Sequence, residues 1–198
     1  MPHTPRVAAC LSYLDVLMTT HASHPTIRRA VSGDAAALAD LGRRTFSDAF
    51  AAHNTPHDMA LFLEAAYAPA VQALELADTA LTCLVAERDG VLLAYALLRT
   101  GKQCEFLNDP TAVELQRFYV DASCHGTGLA QALMTACIAA AHALHAGALF
   151  LGVWERNGRA IRFYEVQGFQ SVGRQSFVLG TDTQQDLVMT RTLRPGQA

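Results

Sequence analysis

The run from His125 to Ala130, with the letters HGTGLA, could bind an anion because it is a glycine-rich turn between a predicted strand and a predicted helix. Residues 113–120 are rich in branched and aromatic side chains, which favours a strand. Leu129, Leu133 and Cys137 then recur at four-residue spacing, which indicates an amphipathic helix. At such a junction, unpaired backbone N–H groups and the positive end of the helix dipole attract negative charge. The turn therefore predicts a phosphate site.

Two familiar phosphate-binding motifs do not fit this turn. A mononucleotide loop needs a lysine after its last glycine, and Leu129 follows Gly128 instead. A dinucleotide loop needs a third glycine three residues after Gly128, where Gln131 stands. On these residues alone, a plain tight turn between strand and helix remains the alternative interpretation.

The composition favours a protein that handles small molecules. The chain has 198 residues, a hydrophobic fraction of 51% and a net charge of −3, so it has no overall basic field to bind nucleic acid or an anionic membrane. Its five cysteines are scattered without a C-x-x-C pair, which argues against a disulfide framework or a metal site and favours a cytoplasmic location. No apolar run approaches the roughly 20 residues that cross a bilayer.

The pattern along the chain predicts a poorly ordered extension at residues 1–25 and a single domain at residues 26–194. The domain is predicted to begin β-α-α, to continue with a hairpin that turns at Asp89-Gly90, and to end β-α-β-α-β-β. Asp34 and Thr55 have the side chains and positions of helix N-caps.

A second motif lies downstream of the turn, after a predicted strand at residues 148–153. It has the pattern N-x-x-A-x-x-F-Y-x-x-x-G-F, and the turn itself has the pattern H-x-x-G-x-A. Together the two motifs resemble those of the GNAT superfamily of N-acetyltransferases, and the resemblance covers about residues 26–193. The residues that carry the second motif are Asn157, Ala160, Phe163, Tyr164, Gly168 and Phe169.

The resemblance implies an α/β fold with a mixed, mostly antiparallel central sheet flanked by helices on both faces. It implies an acetyl-CoA-dependent N-acetyltransferase that moves the acetyl group directly to a primary amine of a small molecule. Segments 113–120 and 151–157 are similar to the branch that includes polyamine acetyltransferases, so a polyamine is the suggested acceptor. The alternatives are a protein N-terminal acetyltransferase and a non-catalytic acyl-CoA-binding domain. Relatives that dimerise also suggest a homodimer.

The resemblance also implies where the coenzyme binds. Its pyrophosphate is expected on the backbone of the turn, and its pantetheine arm is expected to pair with the preceding strand like an added strand. This turn departs from the family pattern, with His125 in place of glutamine or arginine and Thr127 where many relatives have a basic residue. The expected coenzyme-binding residues are Phe118, Tyr119, Val120, His125, Gly126, Thr127, Gly128, Leu129, Ala130, Asn157, Ala160 and Phe163.

Three residues are candidates for proton transfer. Tyr164 matches the position at which the family has a tyrosine that protonates the departing thiolate, and a buried core tyrosine is its alternative role. Glu114 and Glu155 are candidate bases for the acceptor amine, because only a neutral amine attacks. A solvated carboxylate is the strong alternative for each.

Other side chains have two interpretations. Trp154 could line an acceptor pocket or pack in the core. Glu64 and Glu105, with Glu114, could attract a cationic amine if the fold brings them to a pocket. Asn157 could contact the coenzyme, cap the helix that follows it, or do both.

Overall fold

The computed structural model describes residues 24–193, which form a seven-stranded sheet with helices packed against both faces. Most of the predicted extension at residues 1–25 lies outside the described residues. The strands are β1 Thr26–Arg29, β2 Leu81–Arg88, β3 Val91–Arg99, β4 Val113–Val120, β5 Ala148–Trp154, β6 Gln170–Leu179 and β7 Asp182–Thr192. The helices are α1 Ala35–Phe50, α2 Pro56–Tyr67, α3 Pro69–Ala77, α4 Leu129–Ala143 and α5 Gly158–Val166.

The sheet is almost entirely antiparallel, which confirms the predicted fold. Its strand order is β1-β2-β3-β4-β5-β7-β6, and β4 and β5 are its parallel pair. These two strands pair only at Val113 with Leu149 and at Glu114 with Phe150. Beyond Glu114 they diverge, so a gap (the β4–β5 gap) opens in the middle of the sheet.

Strand β3 shows why helices cover both faces of the sheet. Its alternate residues Ala94, Ala96 and Leu98 pack into a core with α4 and α5, whereas Tyr95 and Leu97 pack into a second core with α1 and α2. Each fully buried large apolar side chain contributes about 1.5–3 kcal/mol. The sheet therefore lies between two apolar layers, and the first of them contains residues of both β4 and β5, the strands that border the gap.

The predicted hairpin turn and the predicted cap of α2 are confirmed. Asp89 and Gly90 both have positive φ angles, 54° and 78°, which a type I′ hairpin turn requires. Thr55 accepts the N–H of Asp58 at 3.1 Å and so caps α2. Gly168 ends α5 with a φ of 84°, a conformation that glycine adopts without steric cost.

The start of the domain differs in detail from the prediction. The first strand is short and ends at Arg29. Asp34 stands at the N-cap position of α1 but accepts no hydrogen bond from that helix. Its carboxylate instead accepts from the Val31 N–H at 2.7 Å and from Arg28. A charged guanidinium is the stronger partner, and the ion pair lowers the pKa of Asp34.

The described residues contain no helix that is long and apolar enough to cross a membrane. Between residues 24 and 193, the cysteines Cys83, Cys104, Cys124 and Cys137 are free thiols. The same range contains no group of three or more histidine, cysteine or acidic side chains that could hold a metal ion.

Candidate active site

The turn between β4 and α4 presents bare backbone to open space. Gly126 and Gly128 have φ angles of 77° and 88°, in the left-handed region that favours glycine. A Cβ placed on either glycine would meet no atom within 4 Å. A ligand can therefore approach the main chain here closely, without a side chain in the way.

Four N–H groups of this turn are available to an anion. Those of Gly126, Gly128, Leu129 and Ala130 donate to no acceptor among the described residues. The first hydrogen bond of α4 runs from the Ala132 N–H to the Gly128 carbonyl at 3.1 Å. The free donors coincide with the positive end of the helix dipole, so the turn is suited to a phosphate group.

The remaining two N–H groups of the turn are already used. His125 donates its N–H to Ala122 at 3.2 Å, and Thr127 donates its N–H to Cys124 at 3.4 Å. All six residues of the turn were expected to bind the pyrophosphate through their main chain, and four of them have an N–H group available for it. Thr127 also donates its hydroxyl to the Cys124 carbonyl at 2.7 Å, which stabilises the turn internally.

Arg159 supplies the cation that the sequence of the turn lacks. Its Nη1 lies 2.8 Å from His125 Nδ1, and His125 Nε2 lies 3.2 Å from the Val120 carbonyl oxygen. Nη1 also lies 3.5 Å from His125 Nε2, so the guanidinium lies against the imidazole ring. Arg159 thus places a positive charge beside the turn.

The main chain of β4 faces the β4–β5 gap at alternate residues. Asp121 donates its N–H to Leu93 at 2.8 Å, so this pair is a hydrogen-bonded pair of the β3–β4 ladder. Hydrogen-bonded pairs alternate with unbonded ones in an antiparallel ladder, so the N–H and carbonyl groups of Phe118 and Val120 point away from β3. Tyr119 pairs with Tyr95 on the β3 side instead. Of the three residues expected to pair with pantetheine, two therefore face the gap.

A cavity of about 570 Å³ lies over the turn and the gap, and we call it the first cavity. Its volume is in the range of pockets that hold drug-sized ligands. Leu129 is buried in the core, and neither Leu129 nor Thr127 lines the cavity. The predicted residues that do line it are Phe118, Tyr119, Val120, His125, Gly126, Gly128, Ala130, Asn157, Ala160, Phe163 and Tyr164.

Asn157 caps α5 and lines the cavity at once. Its Oδ1 accepts the Ala160 N–H at 3.1 Å. That bond leaves the two amide N–H groups of Asn157 without a partner among the described residues, so they remain as donors for a ligand.

Tyr164 is held firmly by its ring, while its hydroxyl is unpaired. The ring packs edge-on against Phe118, Phe163 and Phe169, with centroid distances of 6.2, 5.5 and 5.7 Å. The phenol forms no hydrogen bond with any described residue, so the alternative of a core tyrosine with a satisfied hydroxyl is not observed. Burial raises the pKa of Tyr164, and the phenol keeps its proton at neutral pH.

A smaller cavity of about 180 Å³, the second cavity, adjoins the first. Aromatic rings from α1, β4, β5, α5 and β6 line it, and Trp154 is among them, in contact with Phe50 at a centroid distance of 5.8 Å. Its aromatic lining residues are Phe46, Phe50, Phe118, Tyr119, Trp154, Tyr164 and Phe177. Tyr164 and Asn157 line both cavities, so the two meet at the tyrosine.

The predicted bases lie elsewhere. Glu114 is buried at the start of β4, where its Oε1 accepts from Lys102 at 2.5 Å. Glu155 forms an ion pair with Arg174 at 2.7 Å. Neither carboxylate lines either cavity.

The two other acids considered for an acceptor do not reach the cavities either. Glu64 pairs with Arg43 at 2.8 Å on the surface, and Glu105 is exposed on the segment before β4. Both lie outside the lining of the two cavities.

Asp186 is an acid of the second cavity that the sequence did not reveal. It lies on β7, is 7% exposed, and pairs in register with Trp154 of β5 and Gln175 of β6. Burial raises the pKa of its carboxyl to about 6. The signal that could have identified it is a lone charged residue on the same strand face as the buried Val188.

The profile of the acetyltransferase (GNAT) family matches residues 43–169, a range that contains the turn, the gap and Tyr164. The chain belongs to the GNAT family of acetyltransferases. It is therefore an acetyl-CoA-dependent acyltransferase, and enzymes of this family act on amines of small molecules or proteins.

Comparison with known proteins agrees with this assignment. A Mycobacterium tuberculosis protein named as an uncharacterized N-acetyltransferase is 38% identical over 160 residues, which are 81% of this chain and 98% of that protein. The PaiA N-acetyltransferase of Thermoplasma acidophilum, crystallised with coenzyme A, has a TM-score of 0.71 at 16% identity, over 86% of this chain and 99% of that one. A ribosomal-protein-alanine N-acetyltransferase of Brucella melitensis has a TM-score of 0.60 at 24% identity, over 85% and 99% of the two chains. These two structures share the fold.

Proposed function

We propose that this GNAT enzyme transfers the acetyl group of acetyl-CoA directly to the primary amine of a small molecule, in a ternary complex. The observation that carries the proposal is the meeting of two cavities at the unpaired hydroxyl of Tyr164. One cavity presents free main-chain donors suited to phosphate, and the other presents aromatic walls suited to a small organic amine.

The residues of the first cavity fit the coenzyme part by part. The free N–H groups of the turn, with Arg159 beside them, suit the pyrophosphate. The N–H and carbonyl groups of Phe118, which face the gap, suit the amides of pantetheine, as an added strand would. The Val120 N–H, which also faces the gap, suits the oxygen of a thioester carbonyl at the end of that arm.

Tyr164 is the proposed acid that protonates the departing sulfur. Its pKa is raised by burial, and the same burial raises the basicity of a thiolate formed beside it, so the proton transfer is not opposed by burial alone. A phenol that forms no other hydrogen bond is free to turn toward the sulfur.

The size of the second cavity favours a small acceptor over a protein N-terminus. Its volume of about 180 Å³ is below the roughly 300–1,000 Å³ of pockets for drug-sized ligands. The resemblance to one branch of the family suggests a polyamine as the acceptor, so a polyamine is among the amines to be assayed. The homodimer and the cytoplasmic location also stay predictions, and light scattering on the purified protein tests the first.

An assay of free thiol released from acetyl-CoA, run with a panel of primary amines, tests the proposal. We expect amine-dependent thiol release together with the acetylated amine as product, identified by mass. Coenzyme binding without turnover on any amine would favour the non-catalytic acyl-CoA-binding alternative. Faster turnover on peptides than on any free amine would favour the N-terminal acetyltransferase.

A further inference from the structure

We propose that Asp186 binds the ammonium group of the acceptor in the second cavity and takes its first proton, and that the acceptor is a monocationic amine with an apolar body. The inference rests on the proposed acetyltransferase function, because it concerns the amine that the reaction consumes. It identifies the base and the acceptor class, neither of which the family membership specifies.

The carboxylate of Asp186 lies over a position that has no side chain. A Cβ placed on Gly152 of β5 would come within 3.0 Å of Asp186 Oδ2 and within 2.6 Å of Gln175 Nε2. Gly152 also lines the second cavity and is exposed to it. The glycine therefore leaves room for the carboxylate and the amide at the cavity wall.

Asp186 has no partner that would neutralise it. It forms no ion pair and accepts no hydrogen bond from any residue between 24 and 193. The other charged side chain of the cavity, Arg117, is paired with Glu75 at 2.5 Å. Asp186 is thus the one unpaired charge among the described residues that line the cavity, and it attracts a cation.

A second polar atom of the same cavity lacks a partner. Gln116 lines the cavity, and its Oε1 is shielded from solvent yet accepts no hydrogen bond from a described residue. Buried acceptors without partners are uncommon, because each one costs about 1–3 kcal/mol. An acceptor ammonium carries three N–H donors and can satisfy both Gln116 and Asp186.

The environment of Asp186 suits proton transfer. Burial raises its pKa to about 6, so it is mainly ionised at neutral pH and is more basic than an exposed aspartate. The other titratable groups that line the cavity are Arg117, Tyr119 and Tyr164. Burial raises the pKa values of both phenols, so they are neutral at the same pH, and Arg117 remains in its ion pair.

The proton balance assigns a different task to each residue. Asp186 accepts the first proton from R–NH3+, which frees the nitrogen lone pair to form the bond to the thioester carbonyl carbon. As the C–S bond breaks, sulfur leaves with its electron pair and takes the proton of Tyr164, and the second proton from nitrogen restores the phenol. The proton on Asp186 passes to solvent, so the products are the amide, the thiol and one proton.

The walls of the cavity define the rest of the acceptor. One unpaired carboxylate matches one ammonium group, and no second unpaired acid among the described residues lines this cavity to pair with the further charges of a polyamine. The rings of Phe50, Trp154 and Phe177 favour an apolar or aromatic body of small volume. An arylalkyl monoamine, such as 2-phenylethylamine, has these properties.

Kinetics of the full-length protein test the proposal with 2-phenylethylamine, spermidine and a peptide that begins with alanine. We expect the highest kcat/KM for 2-phenylethylamine, with a decline of tenfold per pH unit below about pH 6. Asp186→Asn is expected to lower this kcat/KM about 100-fold and to leave the Kd for coenzyme A unchanged. It is also expected to abolish the decline of kcat/KM at low pH, which we call the acidic limb of the pH profile. Asp40→Asn, which removes an exposed carboxylate of α1, is the matched control and is expected to behave as wild type.

Several outcomes would overturn the inference and leave the acetyltransferase function intact. Wild-type activity and an unchanged acidic limb in Asp186→Asn would show that Asp186 neither binds the ammonium group nor accepts its proton. Loss of the limb in Glu155→Gln, with the limb kept in Asp186→Asn, would assign the base to Glu155. Spermidine or the peptide as the best substrate would reject the acceptor class. Failure of the proposed function itself is distinct, since wild type would then release no thiol with any amine.

Discussion

The two cavities differ in whether main-chain or side-chain atoms form their walls. The first is formed largely by main chain, at two glycines with positive φ and at a strand whose peptide groups face a gap in the sheet. The second is formed by side chains, which among the described residues are mainly aromatic rings and one unpaired acid. A backbone site depends on the course of the chain, whereas a side-chain site changes with each substitution.

This difference fits the tasks of the two cavities. Every member of an acetyltransferase family that uses the same donor can keep one backbone arrangement for it, and few side-chain identities matter there. The acceptor differs between enzymes, so its site depends on individual side chains. Four substitutions test this difference, each at a residue of one cavity or at the junction of the two.

The largest effect is expected from Gly128→Arg. A side chain at Gly128 projects into the space of the first cavity, and an L-residue at a φ of 88° costs about 1–2 kcal/mol in addition. We expect coenzyme A binding to be abolished, as measured by calorimetry. Gly90→Arg is the matched control, because Gly90 has a φ of 78° and open space around it but lies in the distant β2–β3 hairpin. Tight binding by Gly128→Arg would contradict the backbone site.

The next effect is expected from Tyr164→Phe, at the junction of the two cavities. The substitution keeps the ring contacts and removes the proton donor, so we expect kcat to fall about 100-fold. The Kd for coenzyme A and the KM for the amine should change little, because neither cavity loses a wall. Steady-state kinetics at saturating acetyl-CoA measure the change, and an unaltered kcat would exclude the phenol as the acid.

A smaller effect, confined to the second cavity, is expected from Gly152→Ala. The new methyl group would displace the ends of Asp186 and Gln175, which are flexible enough to move. We expect kcat/KM for the amine to fall about tenfold, equivalent to about 1.4 kcal/mol, with coenzyme affinity retained. Gly33→Ala, at a position with nothing within 4 Å, is the control. A loss of coenzyme affinity instead would show that the two cavities are not separable at this wall.

The smallest effect is expected from Arg159→Ala. Arg159 is exposed, and an exposed charge contributes about 0.2–1 kcal/mol, so coenzyme affinity should weaken about threefold at low salt. The difference should decrease as salt is added. Arg162→Ala removes another exposed arginine of α5 that lines neither cavity, and it is expected to bind as wild type. A loss of coenzyme affinity of a hundredfold or more would mean that Arg159, rather than the main chain of the turn, provides most of the binding energy for the coenzyme.

The same difference explains how much could be predicted from the sequence. The turn, the Asp89-Gly90 hairpin and the Thr55 cap are local, so their residues are adjacent in the chain and their types reveal them. The family motifs added Tyr164 and Asn157, which line both cavities.

The acceptor side could not be predicted in the same way. Its residues come from α1, β4, β5, β6 and β7, and only the register of the sheet brings Asp186 to Gly152 and Trp154. The charges chosen from the sequence, Glu114 and Glu155, are neutralised by Lys102 and Arg174, partners that are distant in the chain. Tertiary pairing of this kind has no local signature.

The short β4–β5 pairing also has a consequence for the stability of the chain. Two residue pairs join the sub-sheet β1–β4 to the sub-sheet β5–β7, and the strand edges beyond them have open hydrogen-bonding groups. A pantetheine arm bound along that edge would add hydrogen bonds between the two sub-sheets. Coenzyme binding and the folding stability of the sheet are therefore thermodynamically linked. Hydrogen exchange at β4 and β5 should therefore slow as coenzyme A is added, which would make the donor a structural part of the sheet as well as a reactant.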